Sequence, residues 1–296
     1  MTGSSAGIDW DVVGSVGGFF ALRTERPENA GPVPSGASVP VPLARVYEPV
    51  PGPRERKAGI TLRDGRGGSR DDAREGPRGA PDPLGFRVAK VADRLGAPEV
   101  RVGVSVAHLG LAARLWSLAL GPAALYGLVP DLDPERLRWD PDGTSPDDLW
   151  LDGARTFPAD AARVRETVLD GHLAPLAAAL RARYRISPAL LRGNAGSALA
   201  GAARELHAWA ARTGRPEAGE RALALAADLF ATPGLAATGT LDGTAFRRRS
   251  CCLYYRCPNG GLCGDCCFDR PPQRSSPAAA SGATMRGSAD DGGLRS

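Results

Sequence analysis

The run from Val102 to Val129 is apolar apart from His108 and Arg114, and a helix of that length could span about 30 Å of hydrocarbon. Several residues speak against a membrane. Arg114 near the middle would cost about 2.5–3.5 kcal/mol at the centre of a bilayer, Pro122 interrupts the run, and Gly103, Gly110, Gly121 and Gly127 weaken it. Val102, Val106, Leu109, Ala113, Trp116 and Leu120 form one stripe at helical spacing, and Val104, Leu111, Leu115 and Leu118 form a second. A helix apolar on two sides belongs in the middle of a bundle. The chain is therefore expected to be mainly α, with no integral membrane segment.

Helical spacing recurs on both sides of this run. Leu84, Val88, Val91 and Leu95 share a face before Pro98. After an Asp- and Pro-rich loop, Leu149-Trp150-Leu151 reads as a short strand, and helices are predicted over 160–170 and 173–184, punctuated by Gly171 and Pro175. Ser187 and Pro188 supply an N-cap and a first turn, ahead of Leu191, Ala195, Leu199, Ala202, Leu206 and Trp209. A last helix is predicted over 217–231.

Elsewhere the composition changes. Residues 51–83 are dominated by Pro, Gly, Arg and Asp, and hold too little apolar surface to offset chain entropy. They read as a mobile charged linker or insertion, and 271–296 as a disordered tail. The resulting division is a partly ordered region over 1–50, the insertion over 51–83, a helical body over 84–245, a cysteine-rich segment over 246–270 and the tail over 271–296. In the first region, Val12 to Leu22 is an apolar patch whose secondary structure the pattern leaves open.

Charge excludes some classes of partner. With 37 basic and 33 acidic residues the net charge is +4, and the preference for Arg over Lys is better explained by a GC-rich coding sequence than by nucleic-acid binding, which would want a basic stripe on one face. No nucleic-acid partner is expected. Met1 to Asp11 carries no Lys or Arg and includes Asp9 and Asp11, unlike a secretory signal, so a reducing cytoplasm is the expected compartment.

All six cysteines lie between Cys251 and Cys267. Three chemistries compete for them: disulfides, structural zinc and an iron–sulfur cluster. The reducing compartment weighs against disulfides. Cys263-x-x-Cys266 is half of a zinc knuckle, but adjacent Cys251 and Cys252 point apart in an extended chain and make a poor second half. A cluster spreads four thiolates over two or more irons and accepts wider separations. Asn259-Gly260-Gly261 would allow a tight return with positive dihedrals, and Gly264 would let amides approach sulfur. Arg247, Arg248, Arg249 and Arg256 could offset the charge of about −2 on an oxidised cluster, or steer an anionic substrate.

Cys-Cys, ten residues, Cys, two residues, Cys, within Arg-Arg-Ser-Cys-Cys-Leu-Tyr-Tyr-Arg and Gly-Gly-Leu-Cys-Gly-Asp-Cys, resembles the C-terminal motif of the FhuF-like ferric siderophore reductases. Val104 to Trp116 is similar to actinobacterial members of that family. The resemblance implies a [2Fe-2S] cluster on Cys251, Cys252, Cys263 and Cys266, and one-electron reduction of siderophore-bound Fe(III) to release Fe(II). It also implies a ferric siderophore as substrate and an external electron donor, a ferredoxin, a flavin or a flavin reductase, since no nucleotide-binding motif is visible. Cys257 and Cys267 fall outside the pattern.

Two further readings stand beside it: an electron carrier or iron-delivery protein with the same cluster, and a helical binding protein with a zinc knuckle. Substrate contacts are expected from Arg247, Arg248 and Arg249, and from Asn194 and Ser197, which share a helix with Gly193, Gly196 and Gly201. For that pair the competing reading is close helix packing through small residues. His108 is expected to be a satisfied core residue, and His172 and His207 to lie at the surface or at helix ends. Asp265 could shape the cluster loop or be an exposed turn residue.

Overall fold

The computed structural model of the chain describes residues 7–24, 40–48, 82–153 and 155–272. Of the expected insertion, only Asp82 and Pro83 are among them, and of the expected tail only residues 271–272; the rest of both lies outside the described residues. About 55% of the described residues are helical.

The chain opens with α1 (Trp10–Gly14), where the Asp9 carboxylate accepts from the amides of Asp11 and Val12 and so caps the first turn. The short strand β1 (Val41–Pro42) leads into α2 (Leu43–Tyr47). Pro83, whose missing N–H costs nothing at a helix start, opens α3 (Pro83–Arg94).

Next comes α4 (Val100–Tyr126), ended by Gly127, whose φ of 66° and amide bond to Ala123 make a left-handed cap. Pro122 does not interrupt it: the helix continues for one more turn to Tyr126. Strands β2 (Leu128–Pro130), β3 (Leu137–Trp139), β4 (Leu149–Leu151) and β5 (Thr156–Pro158) follow. They form an antiparallel sheet β1-β3-β4 and an antiparallel pair β2-β5.

The two helices predicted on either side of Gly171 are one continuous rod. It comprises α5 (Ala161–Arg165), a wider π-helical stretch over Glu166–Leu173, and α6 (Ala174–Arg183). The π turn absorbs what would otherwise be a break, and it turns His172 inward. That residue is fully buried, contrary to its expected surface position, with Nε2 2.6 Å from the Leu132 carbonyl and Nδ1 2.8 Å from the Tyr47 hydroxyl.

The body closes with α7 (Pro188–Arg212), α8 (Pro216–Phe230) and α9 (Pro233–Ala236), then the hairpin of β6 (Gly239–Asp242) and β7 (Ala245–Arg248). The long helix α4 lies between α3, α7 and α8. Gly103 allows α3 to approach, since a Cβ there would stand 2.7 Å from that of Ala92. On α7, Ala195 accepts a hydrogen bond at its carbonyl from the Trp116 indole at 3.0 Å.

Arg114, the charge that argued against a bilayer, is buried in protein. Its Nε meets Asp148 at 2.9 Å and its Nη1 donates to the Gly18 carbonyl at 2.9 Å. By length and composition α4 could cross a membrane, but 78% of its most apolar window is buried inside the fold. The apolar N-terminal patch docks on the same helix: Phe20 and Val13 press against Gly121.

Candidate metal centre

Beyond β7 the chain makes two sulfur-bearing loops around a short 3₁₀ turn at Tyr254–Arg256. Leu253 takes a left-handed conformation, φ 68°, uncommon for a residue with a Cβ. Its backbone amide thereby reaches the Cys251 sulfur at 3.2 Å, as the Phe268 amide reaches Cys266 at 3.5 Å. The positive dihedral expected at Asn259-Gly260-Gly261 is thus found at Leu253 instead. Gly260 is needed for close approach, because a Cβ there would collide with the Tyr254 carbonyl.

Cys252 and Cys263 bring their sulfurs to 3.6 Å. A disulfide would require about 2.05 Å, whereas two sulfurs each about 2.3 Å from one tetrahedral ion stand about 3.8 Å apart. None of the six cysteines is in a disulfide. Hydrogen bonding with Cys251 and then Cys263 pulls the Cys252 thiol well below its usual range. The same bonds, together with burial, push Cys251 and Cys263 up. Cys267 lies close enough to hydrogen-bond with Cys251, and burial is the main cause of its raised pKa. Sulfurs this crowded cannot all ionise without a cationic core between them.

Among the described residues, no three Cys, His, Asp or Glu side chains gather as the ligands of one ion do. A two-iron core takes its four thiolates as two pairs. Close pairing at Cys252–Cys263, thiols outside any disulfide and amides aimed at sulfur fit such a core.

Asp265, between the sulfurs of the second loop, is buried. Its carboxylate accepts from the Ser197 hydroxyl and from Arg204 at 3.3 Å, while its carbonyl accepts the Arg248 amide at 3.0 Å. It is therefore a joint between loop and α7, not a turn aspartate in solvent. Beside it opens a cavity of about 630 Å³, with Gly17 to Phe20 on one side and small residues of α4 and α7 on another. Cys263, Asp265 and Ser197 line it, Glu205 is its other acidic residue, and among the described residues no Lys or Arg contributes to the lining.

Of the five residues expected to contact substrate, only Ser197 lines this cavity. Along β7 the side chains alternate, so Arg247 faces solvent and pairs with Asp269 at 2.8 Å, whereas Arg248 is buried. Arg249 is exposed and Arg256 pairs with Glu99. Asn194 is fully buried, donating to the Ser105 carbonyl at 2.8 Å and accepting from Arg248 at 2.7 Å. Gly193 and Gly196 serve packing, against Ser250 and Thr238 of the following segment, while Gly201 opens onto the cavity. His108 is buried but not satisfied: its Nδ1 has no partner among the described residues, and burial takes its pKa down to about 3.

Sequence reasoning missed the cavity wall from Gly17 to Phe20 and the burial of Asp265. Both depend on contacts across most of the chain. The only local signal was the apolar patch at Val12 to Leu22.

Fold and site together define a helical protein with a C-terminal thiolate centre set beside an apolar cavity. The family described as ferric iron reductase FhuF-like transporter matches residues 112–248, and the FhuF 2Fe-2S C-terminal domain matches residues 248–268. These spans join into 112–268, more than half of the 296 residues. The chain belongs to the FhuF-like family, and its cofactor is a [2Fe-2S] cluster. That cofactor displaces the zinc-knuckle reading. No curated protein matches the chain.

Proposed function

We propose that this protein is a ferric siderophore reductase in which Cys251, Cys252, Cys263 and Cys266 hold the cluster and the cavity above Cys263 receives the siderophore. In this reading 84–245 is the substrate-binding body and 246–270 the cluster segment. The observation that carries it is Cys263 itself, which approaches Cys252 at 3.6 Å on one side and lines the cavity on the other. A chelate seated there lies against a cluster ligand.

When bound, the cluster supplies the single electron that takes ferric iron to ferrous. Hard anionic oxygen ligands hold Fe(III) far more tightly than Fe(II), because every Coulomb term falls with the charge of the metal. Reduction therefore loosens the chelate. The protein's own residues exclude water from the apolar walls and leave Ser197 and Asp265 as the polar floor. Its two carboxylates, Asp265 and Glu205, meet one cation at the edge, the Arg204 guanidinium paired with Asp265, so the cavity suits a neutral ferric chelate better than a trianionic tris-catecholate. The electron reaches the protein from a separate donor, a ferredoxin, a flavin or a flavin reductase, in the cytoplasm.

The rival carrier reading has no use for a cavity against a cluster ligand. The test is a panel of ferric siderophores of graded charge, incubated with reduced protein and a ferrous trap. Ferrous release from neutral chelates ahead of trianionic ones supports the reading. Oxidation of the cluster by protein partners, with no ferrous release from any chelate, would establish the carrier instead.

A further inference from the structure

Arg248 is 2% exposed, among the most deeply buried charges in the protein. The carboxylate of Asp265, whose backbone carbonyl accepts the Arg248 amide, pairs with Arg204, and Arg248 makes no ion pair of its own among the described residues. Its own bonds go to neutral acceptors. Nη2 donates to Asn194 Oδ1 at 2.7 Å and to the Leu190 carbonyl at 3.4 Å, and Nε donates to the Ser250 carbonyl at 3.0 Å. Nη1 is buried without any partner among the described residues.

A buried cation with an orphaned donor and no counter-charge is strongly unfavourable, yet this one is deliberately braced. Asn194 is fixed through the Ser105 carbonyl at 2.8 Å, and Ser105 Oγ in turn donates to the Cys252 carbonyl at 2.7 Å. The brace therefore runs from the guanidinium to the backbone of a cluster cysteine. His108, also buried with an orphaned Nδ1, feels the same charge but stays neutral and cannot balance it.

We propose that Arg248 is the internal counter-cation of the cluster, a positioning residue that Asn194 holds in place and that raises the reduction potential of the couple. This rests on the cluster assignment made above. A fixed positive charge stabilises the reduced state, formally about −3, more than the oxidised state at about −2. No bond forms or breaks: one electron enters from the external donor, and its charge is met by the arginine.

The experiment is a mediated redox titration of the purified holoprotein, read from its visible bands and its reduced-state paramagnetic signal. Arg248→Met is expected to shift the reduced-to-oxidised ratio at least tenfold toward oxidised, which is 59 mV for a one-electron couple. Arg248→Lys should recover most of that shift, and Arg249→Met, which alters an exposed neighbour, should produce none. A fully loaded Arg248→Met protein with the wild-type potential would overturn the proposal. Should that variant not fold, Arg248→Gln decides, because it keeps an amide donor for Asn194 while removing the charge: a lowered potential supports the counter-cation, and an unchanged one refutes it. Wild-type protein without visible bands would overturn both this inference and the cluster assignment, an outcome distinct from a loaded protein with an unmoved potential.

Discussion

Arg114 Nε and Asp148 Oδ1 lie 2.9 Å apart with both side chains almost wholly buried, tying the centre of α4 to the loop just before β4. The guanidinium also donates to the carbonyls of Gly18 and Phe19, so one charge fixes the helix, the sheet edge and the N-terminal patch. Asp148→Ala would leave it buried without a counter-charge. The expected loss is about 3–5 kcal/mol, measured as a lower denaturant midpoint at unchanged slope.

Removing one of the four proposed cluster thiolates should be visible directly. Cys263→Ser is expected to abolish the visible absorption and the acid-labile sulfide, while Cys257→Ser and Cys267→Ser keep both. A full complement of sulfide in Cys263→Ser would reassign the ligands.

Filling the cavity should separate substrate binding from redox chemistry. Gly201 faces open space towards Arg204, 3.9 Å from a built Cβ, and lines the cavity. Gly201→Phe is expected to cut ferrous release from a ferric siderophore at least tenfold, while the absorption spectrum and potential stay as in the wild type.

Asp265 opposes Arg248 in sign. Asp265→Asn keeps the shape and the contact with Ser197 but removes a buried negative charge beside the sulfurs. The reduction potential should rise, by the order of one decade in the redox ratio, about 59 mV. A fall would show that the carboxylate acts through loop geometry alone.

Acid should destabilise the fold through His172. Burial lowers its pKa from 6.5 to about 4, so below pH 6.5 the unfolded chain binds a proton that the folded chain refuses. Stability contributed by the neutral ring is complete above pH 6.5 and is lost as pH falls towards 4. In denaturant titrations across that window, His172→Gln should reduce the pH slope by about one proton.

Much of the fold was legible in the sequence because its signals are local. The two stripes on α4, the Ser187-Pro188 start of α7 and the strand at Leu149 to Leu151 follow from periodicity and turn chemistry within a few residues. The rod around Gly171 was not, since a π turn is a tertiary solution: burying His172 against Tyr47 and Leu132 outweighs the breaker. The cysteine spacing pointed to the cluster, but the roles of the arginines were invisible. Alternation along β7 sends Arg247 out and Arg248 in, and that depends on the register of a hairpin packed on α7.

The central helix also has a history during synthesis. Because α4 is covered on several sides by α7 and α8, its greasy surface leaves the ribosome long before its covers do. At about 5–20 residues per second, the stretch to the end of α7 takes roughly 4–17 s. Throughout that interval the nascent polypeptide displays a sticky cylinder to the cell, a natural handhold for chaperones.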